Sequence, residues 1–131
     1  MKDITQTASA LDERIGRLLS ELVSFDTTSC NSNLDLIRYV EQYLEGLGVS
    51  CRLVHDDSGS KANLYATVGS QDRPGVMLSG HTDVVPVDGQ AWATDPFSVE
   101  LQNGRYIGRG TADMKGFIAC VLARVPDMLK A

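Results

Sequence analysis

His81 and Asp83 stand two residues apart in Leu78-Ser79-Gly80-His81-Thr82-Asp83-Val84-Val85-Pro86, where an apolar stretch runs into small residues. A neutral imidazole binds divalent metals, and a carboxylate close by can hold the ring's other N–H and fix its tautomer. The plain alternative is a polar loop with a surface histidine. A second stretch, Tyr106-Ile107-Gly108-Arg109-Gly110-Thr111-Ala112-Asp113-Met114-Lys115-Gly116-Phe117, puts two glycines after a strand pattern and Asp113 just ahead of a helix pattern. Gly108 and Gly110 invite a dinucleotide-binding reading, but Asp113 fills the third glycine slot, where its charge would repel a pyrophosphate. A phosphate-binding loop fails as well, because Lys115 does not follow the four-residue gap and glycine that such a loop needs. Asp113 could instead bind or bridge a divalent metal, or simply cap the helix behind it.

Other candidates carry less. His55-Asp56-Asp57 lies at a strand end beside a Ser-Gly turn and reads better as solvated than as a metal cluster. Cys120, within Ile118-Ala119-Cys120-Val121-Leu122, is expected to be a buried small hydrophobe and not a nucleophile. Trp92 and Phe97 read as packing anchors near the site. Asp12, Glu13 and Glu21 read as a solvated helix face.

The elements that must position these residues follow from periodicity. Leu11, Ile15, Leu18, Leu19, Leu22 and Val23 recur at helical spacing, which predicts an amphipathic helix over about 9–24. Residues 26–33 are turn-rich, and Ser32 or Asn33 offers an N-cap for a second helix carrying Leu36, Ile37, Val40 and Leu44. Gly46 and Gly48 should end it. From Val49 the period shortens, predicting strands around Cys51 to Leu53 and Leu64 to Val68, joined by a turn at 56–60. Val76-Met77-Leu78 reads as a buried central strand. Asn103-Gly104 is the strongest hairpin signal in the chain, between Val99–Leu101 and Tyr106–Ile107. A last helix should carry Phe117, Ile118, Val121, Leu122 and Val125, with Pro126 ending it or starting a new turn. The expected fold class is α/β, a mixed sheet with flanking helices. A sheet of that class would continue into another strand after the last helix.

Composition sets the outer bounds. The 131 residues suit one domain, and 43% hydrophobic with 22% charged residues is a globular balance. Twelve Lys and Arg against 17 Asp and Glu give a net charge of −5, which argues against nucleic acid as a partner. No apolar run is long enough to cross a bilayer, and Met1 to Thr7 lack the pattern of a signal peptide. Cys30, Cys51 and Cys120 are an odd number without short paired spacing, which suggests reduced thiols and a cytoplasmic protein.

His81-Thr82-Asp83 together with Gly110-Thr111-Ala112-Asp113-Met114-Lys115-Gly116 resembles the paired N-terminal signatures of the zinc-dependent M20 peptidase and deacylase family. Between them, Trp92-Ala93-Thr94-Asp95-Pro96-Phe97 resembles the connecting segment of the same enzymes. Within the family the motifs are most similar to the acetylornithine deacetylase branch, with succinyl-diaminopimelate desuccinylases as near neighbours. The resemblance implies a zinc-peptidase (phosphorylase/hydrolase-like) catalytic domain. It makes His81 a ligand of one zinc, Asp113 the carboxylate bridging two, and Asp83 the catalytic-site residue that orients His81. It also implies a cis peptide at Asp113-Met114, shaping roles for Gly108 and Gly110, and a structural role for Lys115. The implied reaction is metal-assisted hydrolysis of a small N-acyl amino acid, N-acetyl-L-ornithine first, with cobalt or manganese able to replace zinc.

The chain departs from the family pattern after Asp113. Its last glutamate is Glu100, its only histidines are His55 and His81, and the only later carboxylate side chain is Asp127. Residues 1–131 are therefore expected to be the N-terminal part of the catalytic metal-binding domain, without the lid domain, the general base or the remaining ligands. Such a piece is expected to be inactive alone, since stable zinc sites take three or four protein ligands. Full-length members are commonly homodimers through the lid, which gives no oligomeric state for this chain. The rival expectation is a non-catalytic, truncated interaction module that pairs with a partner through apolar surface left at a sheet edge.

Overall fold

The computed structural model describes residues 4–131, and of residues 4–9 the backbone alone. Met1 to Asp3, part of the stretch read for a signal peptide, lie outside the described residues. Helix α1 spans Ile4–Ser24, starting earlier than expected because neither Gly nor Pro interrupts the residues before Ala8. Helix α2 spans Leu34–Gly46, and Gly48, in the left-handed region at φ +80°, turns the chain out of it. Strands β1 (Cys51–His55) and β2 (Ala62–Ala66) form an antiparallel pair with Leu53 opposite Leu64. Strands β3 (Glu100–Gln102) and β4 (Arg105–Ile107) form a second pair around Asn103 (φ 50°) and Gly104 (φ 75°), the expected two-residue turn. Helix α3 spans Lys115–Met128. Among the described residues no helix is long and apolar enough to cross a membrane.

The class is α/β as expected, but the single mixed sheet is not what forms. The described strands make two separate antiparallel pairs, and the one parallel contact is an isolated bridge between Thr28 and Val84. Val76-Met77-Leu78 is a correction. It pairs with no strand among the described residues, and Val76 is 88% and Met77 72% exposed. A continuous apolar run becomes a central strand only where neighbours on both sides take its N–H and C=O groups.

The core is helical. Leu18, Leu22 and Val23 of α1 meet Ala119, Leu122 and Ala123 of α3, while α2 lays Leu36, Ile37 and Leu44 beside the β1–β2 pair. Cys120 is also a correction, because it is exposed. In α3 the inward stripe is Ala119, Leu122, Ala123 and Val125, which turns Cys120 to the opposite side with Phe117. All three cysteines are free.

Pro126 does not end α3 but sits inside it. Proline supplies no N–H, so the carbonyl of Leu122 four residues earlier loses its helical donor. The hydroxyl of Tyr43 on α2 donates to that carbonyl at 3.0 Å. Arg14 of α1 donates to the next carbonyl, Ala123 O, at 2.8 Å. The helix is thus carried through its proline by its neighbours. Tyr43→Phe should cost about 1–2 kcal/mol by leaving Leu122 O unpaired, measured by urea unfolding. A loss below the error of that measurement would show that water replaces the hydroxyl.

Candidate functional site

Two loops build the site. The first follows the exposed segment 76–78 and carries Gly80, His81, Thr82 and Asp83. It is held by the loop between α1 and α2, not by a sheet. Val84 N donates to Thr27 O at 3.0 Å, Ser29 N donates to Val84 O at 3.1 Å, and the Thr27 hydroxyl donates to Thr82 O at 2.6 Å. Asn33 occupies the N-cap position of α2 but makes no cap. Its amide instead donates to Ala62 O at 2.9 Å and Thr82 Oγ1 at 3.1 Å and accepts from Ala62 N at 3.0 Å. That side chain ties the His81 loop to strand β2. Gly80 lies against α3, where a Cβ would sit 3.1 Å from Ile118 Cγ1.

The second loop is the turn from Gly108 to Met114 that enters α3. Lys115 N donates to Gly110 O at 2.9 Å, and Thr111 Oγ1 donates to Gly108 O at 3.0 Å. Gly110 has φ +85°, and a Cβ there would approach Val84 Cγ1 to 2.8 Å. A side chain at 110 would be strained in itself and would push the two loops apart. The Asp113–Met114 peptide is cis.

These loops bring His81, Asp83 and Asp113 together. His81 Nε2 lies 3.0 Å from Asp113 Oδ1, and Nδ1 lies 3.0 Å from Asp83 O and 3.2 Å from Asp83 Oδ1. The Asp113 side chain is 87% exposed, so the pair opens to solvent. Burial of the imidazole pulls its pKa down, but hydrogen bonds to Asp113 and Asp83 outweigh it and the net shift is upward. The Ser29 hydroxyl, above all, holds the Asp83 carboxyl below its ordinary value. A nitrogen and a carboxylate oxygen facing each other 3.0 Å apart share either a proton or a cation.

The other candidates lie apart from this centre. Asp56 accepts from Ser58 Oγ at 2.6 Å and Lys61 N at 2.9 Å, so it shapes the β1–β2 turn. Arg109 stacks its guanidinium 5.3 Å from the Trp92 ring centroid, and both side chains donate to Gln90 Oε1. Trp92 thereby anchors the connecting segment to the second loop, while Phe97 is half-buried. Glu100 is exposed on β3. Among the described residues no group of three or more His, Cys, Asp or Glu side chains is placed to hold an ion.

Two participants carried little signal in the sequence. Ser29 sits in a stretch marked only by turn composition. Lys115, read as structural, is fully buried beneath the site with its ammonium donating to Phe25 O at 2.8 Å. Burial pulls its pKa from 10.5 to about 8, and the Asp26 charge opposes this only in part. Between those values the unfolded chain holds a proton that the folded chain has lost, so stability rises with pH across about 8 to 10.5. Relative to Lys115→Met, the wild type should gain on the order of 2–3 kcal/mol over that window in paired urea titrations. A flat difference would show that the ammonium is not desolvated.

Residues 77–131 match the family model described as Peptidase family M20/M25/M40. The chain is 40% identical over 117 residues to a succinyl-diaminopimelate desuccinylase of Legionella pneumophila (strain Lens), covering 88% of this chain and 30% of that protein. It is 46% identical over 95 residues to the enzyme of the same name from Rhodospirillum centenum, covering 70% and 24%. It is 40% identical over 106 residues to an acetylornithine deacetylase of Pasteurella multocida, covering 80% and 28%. The chain thus spans between about a quarter and a third of the length of these curated relatives. Both enzyme names occur at 40% identity, so identity does not separate the acyl groups. With both signatures on facing loops inside the matched residues 77–131, this stretch of the chain is similar to peptidase family M20/M25/M40.

Proposed function

We propose that this chain supplies part of the active site of a metal-dependent hydrolase that removes the acyl group from a small N-acyl amino acid. The opposed pair His81 Nε2 and Asp113 Oδ1, 3.0 Å apart with Asp83 behind the imidazole, carries this reading. Donors at that separation can both reach one ion at the roughly 2.0–2.2 Å typical of zinc. His81 and Asp113 would hold the metal, and the bridging of a second ion by Asp113 is part of the proposal. Zinc suits this donor set, and cobalt or manganese suits it too. Such an ion, when bound, lowers the pKa of a water and polarises the scissile carbonyl. Asp83 accepts the Nδ1 proton of His81, which leaves the Nε2 lone pair directed at the metal position.

N-acetyl-L-ornithine is the substrate assigned first, giving L-ornithine and acetate in arginine biosynthesis in the cytoplasm. A succinylated diamino acid is the second reading, favoured by the relatives named succinyl-diaminopimelate desuccinylase. The general base and further ligands are assigned to residues outside 1–131, because two donors fall short of the three or four that stable zinc sites use. The test is an assay of the protein at its endogenous length on both substrates, with and without a chelator. Chelator-sensitive release of acetate or succinate is expected, and its absence on both substrates overturns the proposal. Metal-dependent turnover by residues 1–131 alone would overturn the assignment of the base to another segment.

A further inference from the structure

We propose that Ser29 is a positioning residue of the His81 site, acting through Asp83. The proposal rests on the reading of His81 as a metal ligand only for its affinity measurement, not for its spectroscopic one. The Ser29 hydroxyl donates to Asp83 Oδ2 at 2.8 Å, while Oδ1 of the same carboxylate lies 3.2 Å from His81 Nδ1. One carboxylate is thus gripped at one oxygen and presented to the imidazole with the other.

The grip has a fixed base. Ser29 N donates to Val84 O, and Val84 N donates to Thr27 O, so the backbone of residue 29 is tied to the residue following Asp83. The Ser29 carbonyl in turn accepts from the Lys61 ammonium. A hydroxyl has one proton, and Val84 O at 3.4 Å competes for it. The charged acceptor at 2.8 Å wins, because hydrogen bonds to ionised groups are shorter and roughly twice as strong.

The need for a grip follows from the aspartate side chain. Its terminal torsion is broad, and here the side chain is about half exposed, so packing does not hold the carboxylate plane. With Ser29 in place, Nδ1 faces two acceptors, Asp83 O and Asp83 Oδ1, against the single Asp113 Oδ1 at Nε2. That imbalance favours the Nδ1–H tautomer, the one whose Nε2 lone pair is free for a metal. Loss of the hydroxyl frees the carboxylate to rotate and weakens the imbalance.

Long-range proton–nitrogen NMR of the metal-free chain at alkaline pH tests this directly, since only two histidines contribute. Ser29→Ala should lower the Nδ1–H fraction of His81, and Ser29→Thr should restore it. Cobalt(II) titration of the protein at its endogenous length should show about tenfold weaker binding for Ser29→Ala, the low end of the range for groups one step outside the ligands. In an Asp83→Ala background, Ser29→Ala should add nothing further, which a general structural role would not produce. An unchanged tautomer in Ser29→Ala, or an equal loss in the Asp83→Ala background, overturns the proposal. If cobalt binds neither wild type nor variant at His81 in the protein at its endogenous length, the metal reading fails and the tautomer alone judges Ser29.

Discussion

Gly116→Ala is expected to destabilise the chain by about 3 kcal/mol or more, at or beyond the upper end of overpacking costs. A Cβ at this position would overlap the backbone oxygen of Thr111. No side-chain end can swing away, because the obstacle is main chain. Nor can the turn retreat easily, since Lys115 N bonds to Gly110 O and Arg109 N bonds to Pro96 O at 2.6 Å. Relief requires parting the first turn of α3 from the 108–114 loop, and that movement carries Asp113 away from His81. Alanine's better helix propensity, about 1 kcal/mol, is too small to offset this. Gly75→Ala is the control, because nothing lies within 4 Å of a Cβ there and its φ is not positive. Urea unfolding of the two variants should separate them clearly, and a Gly116→Ala protein as stable as wild type would refute the close approach.

Gly116 also marks how far the sequence could be read. Periodicity located all three helices and both hairpins, because each signal is local: apolar spacing in α1 and α2, and Asn103-Gly104 between β3 and β4. The two motifs that the structure brings face to face are also visible in the sequence, since His81-Thr82-Asp83 and the run around Asp113 are each contiguous. Contacts between segments were not legible. Val76-Met77-Leu78 has the composition of a central strand, but pairing depends on what lies beside it, and here nothing among the described residues does. Cys120 belongs to an apolar run whose inward stripe is set by where α1 lies. Pro126 should have stopped α3, and the hydroxyl that lets the helix continue comes from Tyr43, 83 residues earlier in the chain. Ser29 reads as a turn residue, and Asn33 reads as a candidate N-cap of α2 whose side chain makes no cap bond. Their hydrogen bonds to Asp83 and Thr82 exist only once the α1–α2 loop meets the His81 loop.

In the protein at its endogenous length, His81→Ala should weaken metal binding at the site, with affinity falling about a hundredfold or more in calorimetric titration with zinc or cobalt. The size follows from the donor count. Within residues 1–131 the facing pair offers one nitrogen and one carboxylate oxygen, so removing the nitrogen halves this segment's donors and leaves a single exposed carboxylate. Asp113→Ala should do comparable damage, whereas Asp83→Asn should cost only about 10–100-fold, because Asp83 orients the ring and need not touch the metal. Cys30 and Cys120 are free and exposed, so their thiols must be blocked before titration or they will bind the same ions. The binding should also strengthen as pH rises through the pKa of His81. Hydrogen bonds to Asp113 and Asp83 raise that pKa, and the proton they stabilise on the imidazole must leave before Nε2 can bind a metal. A metal stoichiometry that survives His81→Ala with blocked thiols, or an affinity indifferent to pH between about 5 and 8, would place the ion elsewhere. The facing of His81 and Asp113 would then be an ordinary hydrogen bond between two loops.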